Sequence, residues 1–337
     1  MSGSTRRRFS GLMLPVIFLC LAMNLTLPAQ TAPQIAAYFG NKKAALSLTF
    51  DDGFSAEVED TVAILDPLEI KGTFFLIPAY MDGSPESVKF VIWDRVLELQ
   101  NNGHEIGTHG SIREKLHEAT DERLDTLING SWSLIRERTG VAPVSYAAPG
   151  GSEVDQRVEK IIRQNHQSIR KAELLPDAVV AGYGSAGERV WEDKKTRAQI
   201  EEAIQHGQWF IPIVHSIVGG YSPFQSKDEF RHHCEWIKSR EADLWIAPMG
   251  VVGSYVADRD AAKLVTRSSS RNMVVFAVQH PHSQPFRQPL TVVAPAPAAT
   301  HATATTSDGT KLPATIKAGN ILVPVSQPNT DISVEWR

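Results

Sequence analysis

The chain has 337 residues, beyond the usual size of one domain, and its 38 acidic against 34 basic side chains give a net charge of -4. That balance excludes a general electrostatic attraction for nucleic acid. Of the two cysteines, Cys20 falls in an N-terminal export segment, which leaves Cys234 alone and excludes an intramolecular disulfide in the mature protein.

Residues 1–29 read as an export signal: Arg6-Arg7-Arg8, an apolar run from Leu12 to Leu27, and the small Ala29 as a cleavage point. The expected location is periplasmic or extracellular. Thr5-Arg6-Arg7-Arg8-Phe9 also fits a twin-arginine signal. Left uncleaved, the run would act as a membrane anchor, but Pro15 and Asn24 interrupt it. No other membrane contact is expected.

From Ala44 to about Ala262 short apolar runs alternate with helical patterns, which predicts βαβ units in one α/β domain over residues 36–265. The first strand, Ala44 to Leu48, is uncharged and leads into Thr49-Phe50-Asp51-Asp52-Gly53. A helix over Thr61 to Leu68 feeds the strand Gly72 to Ile77, and an amphipathic helix carrying Trp93, Val96, Leu97 and Gln100 stops at Asn101-Asn102-Gly103. Strands follow at His104 to His109, Ser145 to Ala148, Phe210 to Val214 and Leu244 to Ala247. Several such units closing on themselves predict a barrel. Beyond Arg271 the pattern becomes strands without helices: Met273 to Val278, Leu290 to Val293, Ile316, Ile321 to Val325 and Ile332 to Val334. Lys317-Ala318-Gly319-Asn320 reads as a hairpin turn and Ala294 to Thr310 as a long loop or linker. Residues 271–337 are thus expected to form a small β-rich appendage, and a chain ending between Ala262 and Arg271 is expected to fold without it.

Asp51 and Asp52 are adjacent carboxylates at a strand end, and like charges so close resist joint ionisation unless a positive charge stands beside them. His109 and His215 also follow predicted strands. In a parallel barrel these ends share one rim, so the four side chains can meet around one substrate. Two carboxylates and two imidazoles suit metal-assisted hydrolysis. Against this stand plainer readings: the acids could cap a helix, and either histidine could be a buried structural residue. His232-His233-Cys234 points apart on a helix, His280-Pro281-His282 reads as loop rather than site, and Trp191, Trp209, Trp236 and Trp245 suit the core more than a sugar platform.

Thr49-Phe50-Asp51-Asp52-Gly53, Gly72-Thr73-Phe74-Phe75, Gly103 to His109, Ala147-Ala148-Pro149-Gly150-Gly151 and Ile213-Val214-His215 occur in an order and spacing that resembles the polysaccharide deacetylases. These are the NodB-homology enzymes of carbohydrate esterase family 4, and the likeness runs over about residues 40 to 260. The resemblance implies a deformed (β/α) barrel and removal of acetyl groups from N-acetylated sugars of a polysaccharide or oligosaccharide. O-acetyl esters are the alternative bond. It also implies a divalent metal ion of the zinc or cobalt kind. Position by position, Asp51 would be the general base, Asp52 and His109 metal ligands, and His215 the general acid. The backbone N–H near Gly150 would stabilise an oxyanion, and Arg170 would orient the base. One departure stands at Arg113, where the family places a second metal-binding histidine four residues after the first; a guanidinium cannot ligate a cation. His117 or Glu114 are the candidates to replace it, and a sugar-binding module with weak or no hydrolysis is the other outcome. Trp191-Glu192-Asp193 is the candidate for the family's Asp-Trp motif.

Overall fold

The computed structural model describes residues 32–81, 89–150, 152–175, 177–182, 193–218 and 224–337; the export segment lies outside them. Among the described residues no helix is long and apolar enough to cross a membrane.

Nine strands make one sheet, parallel at every pairing, in the order Leu244–Ile246, Ala44–Leu46, Trp209–Val214, Thr49–Asp52, Thr73–Leu76, Glu105–Thr108, Ser145–Tyr146 and Ser168–Ile169. Ala178–Gly182 also pairs with Trp209–Val214. The strands are buried along nearly their whole length because both faces are covered. Alternate side chains enter two different cores. Leu46, Phe50, Phe74, Leu76 and Phe210 pack against the helices Ser55–Leu65, Trp93–Asn101, Asp193–His206 and Lys227–Ser239. Ala45, Phe75, Trp209 and Ile211 point the other way, into a core closed by the helix Met249–Ala261. That helix seals the ends of the strands opposite the site: Gly250 N–H donates to Glu105 Oε2 at 2.6 Å, and a side chain at Gly253 would overlap Ser168 Oγ. The helix expected over Thr61 to Leu68 begins earlier, at Ser55, and tightens into a 3-10 turn at Asp66–Leu68 where Pro67 cannot donate.

The C-terminal residues fold as two antiparallel sheets. One runs Gln34–Ile35, Leu290–Pro295, Asn320–Val325, Thr315–Lys317; the other runs Lys263–Ser270, Met273–Gln279, Asp331–Trp336, Ala302–Thr306, Lys311–Leu312. The predicted hairpin turn is there: Lys317 pairs with Asn320, and Ala318 and Gly319 both take positive φ, 48° and 74°. The stretch Ala294 to Thr310 is not one long loop, since Ala302–Thr306 pairs with Asp331–Trp336; its threonines suit a pleated surface. Nor do the β-strands fold apart from the barrel. Val278, Phe286, Val292 and Ile332 share one buried cluster with Phe75, Trp209 and Trp245. Tyr255 of the last helix donates to Ala36 O at 2.9 Å, and Gln34–Ile35, ahead of the barrel, pairs with Leu290–Pro295. The barrel's inner face and the C-terminal sheets thus bury each other, which weighs against the expectation that a chain ending before Arg271 folds unaided.

Candidate active site

Asp51 and Asp52 end the strand Thr49–Asp52, and both are buried. Asp52 sits at φ 73° and Gly53 at φ 79°, a sharp turn closed by Gly53 N–H donating to Asp51 O. A Cβ at Gly53 would overlap Leu76 Cδ2, so only glycine passes here. The positive φ at an aspartate is strained backbone of the kind held at functional sites.

Arg170, just after the strand Ser168–Ile169, reaches across the barrel to Asp51. Its Nη1 and Nη2 donate to Oδ1 and Oδ2, both at 2.6 Å, and Nη1 also donates to Thr49 Oγ1 at 2.9 Å. The guanidinium lies over the Phe75 ring, 4.8 Å from its centre. Phe75 in turn fits because Gly107 beside it has no Cβ. Burial opposes ionisation of Asp51, but the Arg170 charge and its hydrogen bonds, with His109, outweigh it and hold the carboxyl at about 2.

His109 follows Glu105–Thr108. Its Nδ1–H donates to Ala147 O at 2.9 Å, which leaves Nε2 with its lone pair 3.7 Å from Asp52 Oδ1 and 3.8 Å from Asp51 Oδ2. Burial, with the Arg170 charge, lowers its pKa against the pull of the two carboxylates. His215 follows Trp209–Val214; its Nε2 is 3.8 Å from Asp51 Oδ2 and its side chain is 40% exposed, at the mouth.

Arg113 decides the other carboxylate. Its Nε donates to Asp52 Oδ1 at 3.2 Å and its Nη2 pairs with Oδ2 at 2.6 Å. The guanidinium stacks over Phe54 at 5.4 Å, and its backbone N–H donates to the Tyr80 hydroxyl at 3.3 Å. The expected replacements do not arrive: Glu114 pairs with Arg123, and His117 Nδ1 accepts the Glu153 N–H. Asp193 pairs with Arg197, and Trp191 and Glu192 lie outside the described residues. Gly150 is exposed in the turn after Ala147, the residue that holds His109.

Sequence reasoning missed Phe54, Phe75 and Tyr80 as supports of the two arginines, and it missed Glu57. That residue is buried, neither carboxyl oxygen has a hydrogen-bond partner, and burial followed by repulsion from Asp52 and Asp51 pushes its pKa up to about 10. A polar residue on the buried stripe of Ser55–Leu65 was its one available signal.

The resemblance implies a divalent metal ion, and the residues present do not fit a resident one. Asp52 and His109 are the two donors, and both oxygens of Asp52 are engaged by a cationic side chain. Among the described residues, the one group of three histidine or carboxylate donors within reach of a common ion lies elsewhere.

The rim brings two carboxylates and two imidazoles together on the C-terminal side of the parallel strands, groups suited to acid–base chemistry. Residues 40–169 match the family model described as polysaccharide deacetylase. Over that stretch the chain is similar to the polysaccharide deacetylases of NodB homology, hydrolases that cleave amide C–N bonds of N-acetylated sugars. Comparison with curated protein sequences gave no match. Among solved structures the chain is similar to a Mycobacterium smegmatis protein described as a polysaccharide deacetylase, with TM-score 0.51, 18% identity, and 68% of this chain and 96% of that one covered. It is also similar to the Bc1960 peptidoglycan N-acetylglucosamine deacetylase, at 0.47, 18%, 63% and 88%. A third is the peptidoglycan deacetylase PdaC from Bacillus subtilis, at 0.42, 16%, 66% and 95%.

Proposed function

We propose that the protein is exported and removes acetyl groups from N-acetylated sugars of a polysaccharide, with Asp51 and His215 carrying the protons. The observation that supports this best is the Arg170–Asp51 pair. It fixes one carboxylate, ionised at every working pH, within 3.8 Å of a half-exposed imidazole. In this reading Asp51 accepts the proton of the attacking water, His215 donates one to the departing amine, and the N–H near Gly150 and the Arg113 charge face the oxygen as it becomes negative.

Basicity limits the rate. A carboxylate that Arg170 holds below the usual range is a weaker base for water, so turnover on an unactivated amide is slow while Arg113 holds Asp52. This favours one second reading: a module that binds the glycan and hydrolyses it weakly or not at all. An O-acetyl ester, with its better leaving group, is the easier bond for the same residues.

The test is acetate release from N-acetylglucosamine oligomers and from an O-acetylated glycan, by wild type and His215→Ala, with and without chelator. Release that needs His215 supports hydrolysis. Glycan retention without acetate selects the binding module, and neither retention nor release removes both readings.

A further inference from the structure

Where the last barrel helix, Met249–Ala261, meets the turn leaving the strand Met273–Gln279, three donors converge that the reaction does not use: Asp258, His280 and His282. Their ligand atoms all lie within 4.8 Å of one another. Asp258 Oδ1 is 3.9 Å from His280 Nε2 and 3.6 Å from His282 Nε2. Both separations are too long for direct hydrogen bonds, yet they are close to the roughly 3.4 Å that separates neighbouring donors around a tetrahedral ion bound at about 2.0–2.1 Å.

The His280 side chain is only 5% exposed, and its Nε2 is buried with no hydrogen-bond partner while facing Asp258. The two rings stand 3.9 Å apart, a spacing that two protonated imidazoles would resist. Burial, then the neighbouring His282, lowers the His280 pKa against the pull of Asp258. The turn is also held from outside. Asn329, at φ 60°, donates from Nδ2 to His280 O at 3.2 Å and to His282 O at 3.3 Å, and its Oδ1 accepts the His280 N–H at 3.1 Å. Phe286 packs against both rings, 5.3 and 6.1 Å between centres.

We propose that Asp258, His280 and His282 form a binding site for a zinc-class divalent ion, separate from the rim carboxylates, which ties the barrel's last helix to the C-terminal sheets. Two imidazoles and one carboxylate suit zinc and leave a fourth position for water on the exposed His282 side. Ligation through His280 Nε2 puts that ring's hydrogen on Nδ1. The cost is the contact from His282 N–H at 3.3 Å, already at the long end of hydrogen bonding.

Zinc alone, titrated into chelator-stripped full-length protein against a chromogenic competitor, is expected to fill one tight site. Zinc at about 100 times its Kd should raise Tm by roughly 5 °C. His282→Ala, at an exposed position, and Asp258→Asn should each weaken binding by on the order of 100-fold and cancel the Tm gain. Asp52→Asn should leave the stoichiometry unchanged. A full-length protein that takes up no zinc, zinc that survives both His282→Ala and Asp258→Asn, or a site lost in Asp52→Asn overturns the proposal.

Discussion

At Asp51 the charge proposed to accept the water's proton also serves the fold. Its carboxyl lies at about 2 when folded against 3.8 for the free side chain, so the stabilisation is present above pH 4 and is lost as pH falls through 2. Asp51→Asn is expected to stop acetate release. It also leaves Arg170, 4% exposed, without its partner, at a cost of about 3–5 kcal/mol seen in denaturant unfolding. His215→Ala should slow amide substrates more than activated esters, because a good leaving group needs little protonation; equal losses on both would make His215 structural. Glu57 has the opposite sign. Its pKa is raised from 4.5 to about 10, so its contribution is full below pH 4.5 and declines as pH rises toward 10, where the unfolded chain ionises and the folded one does not. Glu57→Gln should match wild type at pH 4 and exceed it by about 1–3 kcal/mol at pH 8; the same difference at both pH values would show that Glu57 is ionised in the fold. Arg113→His removes the cation on Asp52 and adds an imidazole, and should add a further equivalent of bound zinc by titration. Unchanged zinc stoichiometry would mean that residue 113 does not turn into the site.

At the scale of elements, the sequence pattern places strands well because both faces of each are covered, whereas helix ends depend on contacts made elsewhere. The helix Met249–Ala261 illustrates the second case. Gly250 and Gly253 face Glu105 and Ser168 across a gap that no side chain fits, so two residues that lower helix propensity are there for close approach. Gly253→Ala should cost about 1–3 kcal/mol through overlap with Ser168, read as a lower midpoint in denaturant. A rise, as helix propensity alone would give, would show that the helix can move away from the strands.

For the whole molecule, the barrel's alternation of side chains ties its two ends together. Phe75 supports Arg170 and sits in the cluster that includes Trp209, Val278 and Ile332, so the site rests on a core that the C-terminal sheets complete. A chain ending at Arg271 is expected to aggregate or to lose near-ultraviolet dichroism, because it uncovers that cluster and leaves Gln34–Ile35 without its partner strand. A soluble form with cooperative unfolding would show that the barrel buries enough apolar surface by itself.

The sequence by itself determined the parallel α/β class, the strand that leads into each motif, and the rim residues Asp51, Asp52, His109 and His215, because buried strands and strand-end acids leave local patterns. Arg113 could be located as the departure from the family, but its grip on both oxygens of Asp52 could not, since that contact joins positions 61 residues apart. The resemblance pointed to Arg170 as the residue that orients Asp51, but only tertiary structure gave its two-pronged grip on that carboxylate, left Glu57 buried beside two carboxylates, and fused the C-terminal sheets to the barrel. It also brought Asp258 to His280 and His282, a pair that reads in sequence as loop. Side-chain convergence across distant elements is decided by how the layers pack, and no local period encodes it.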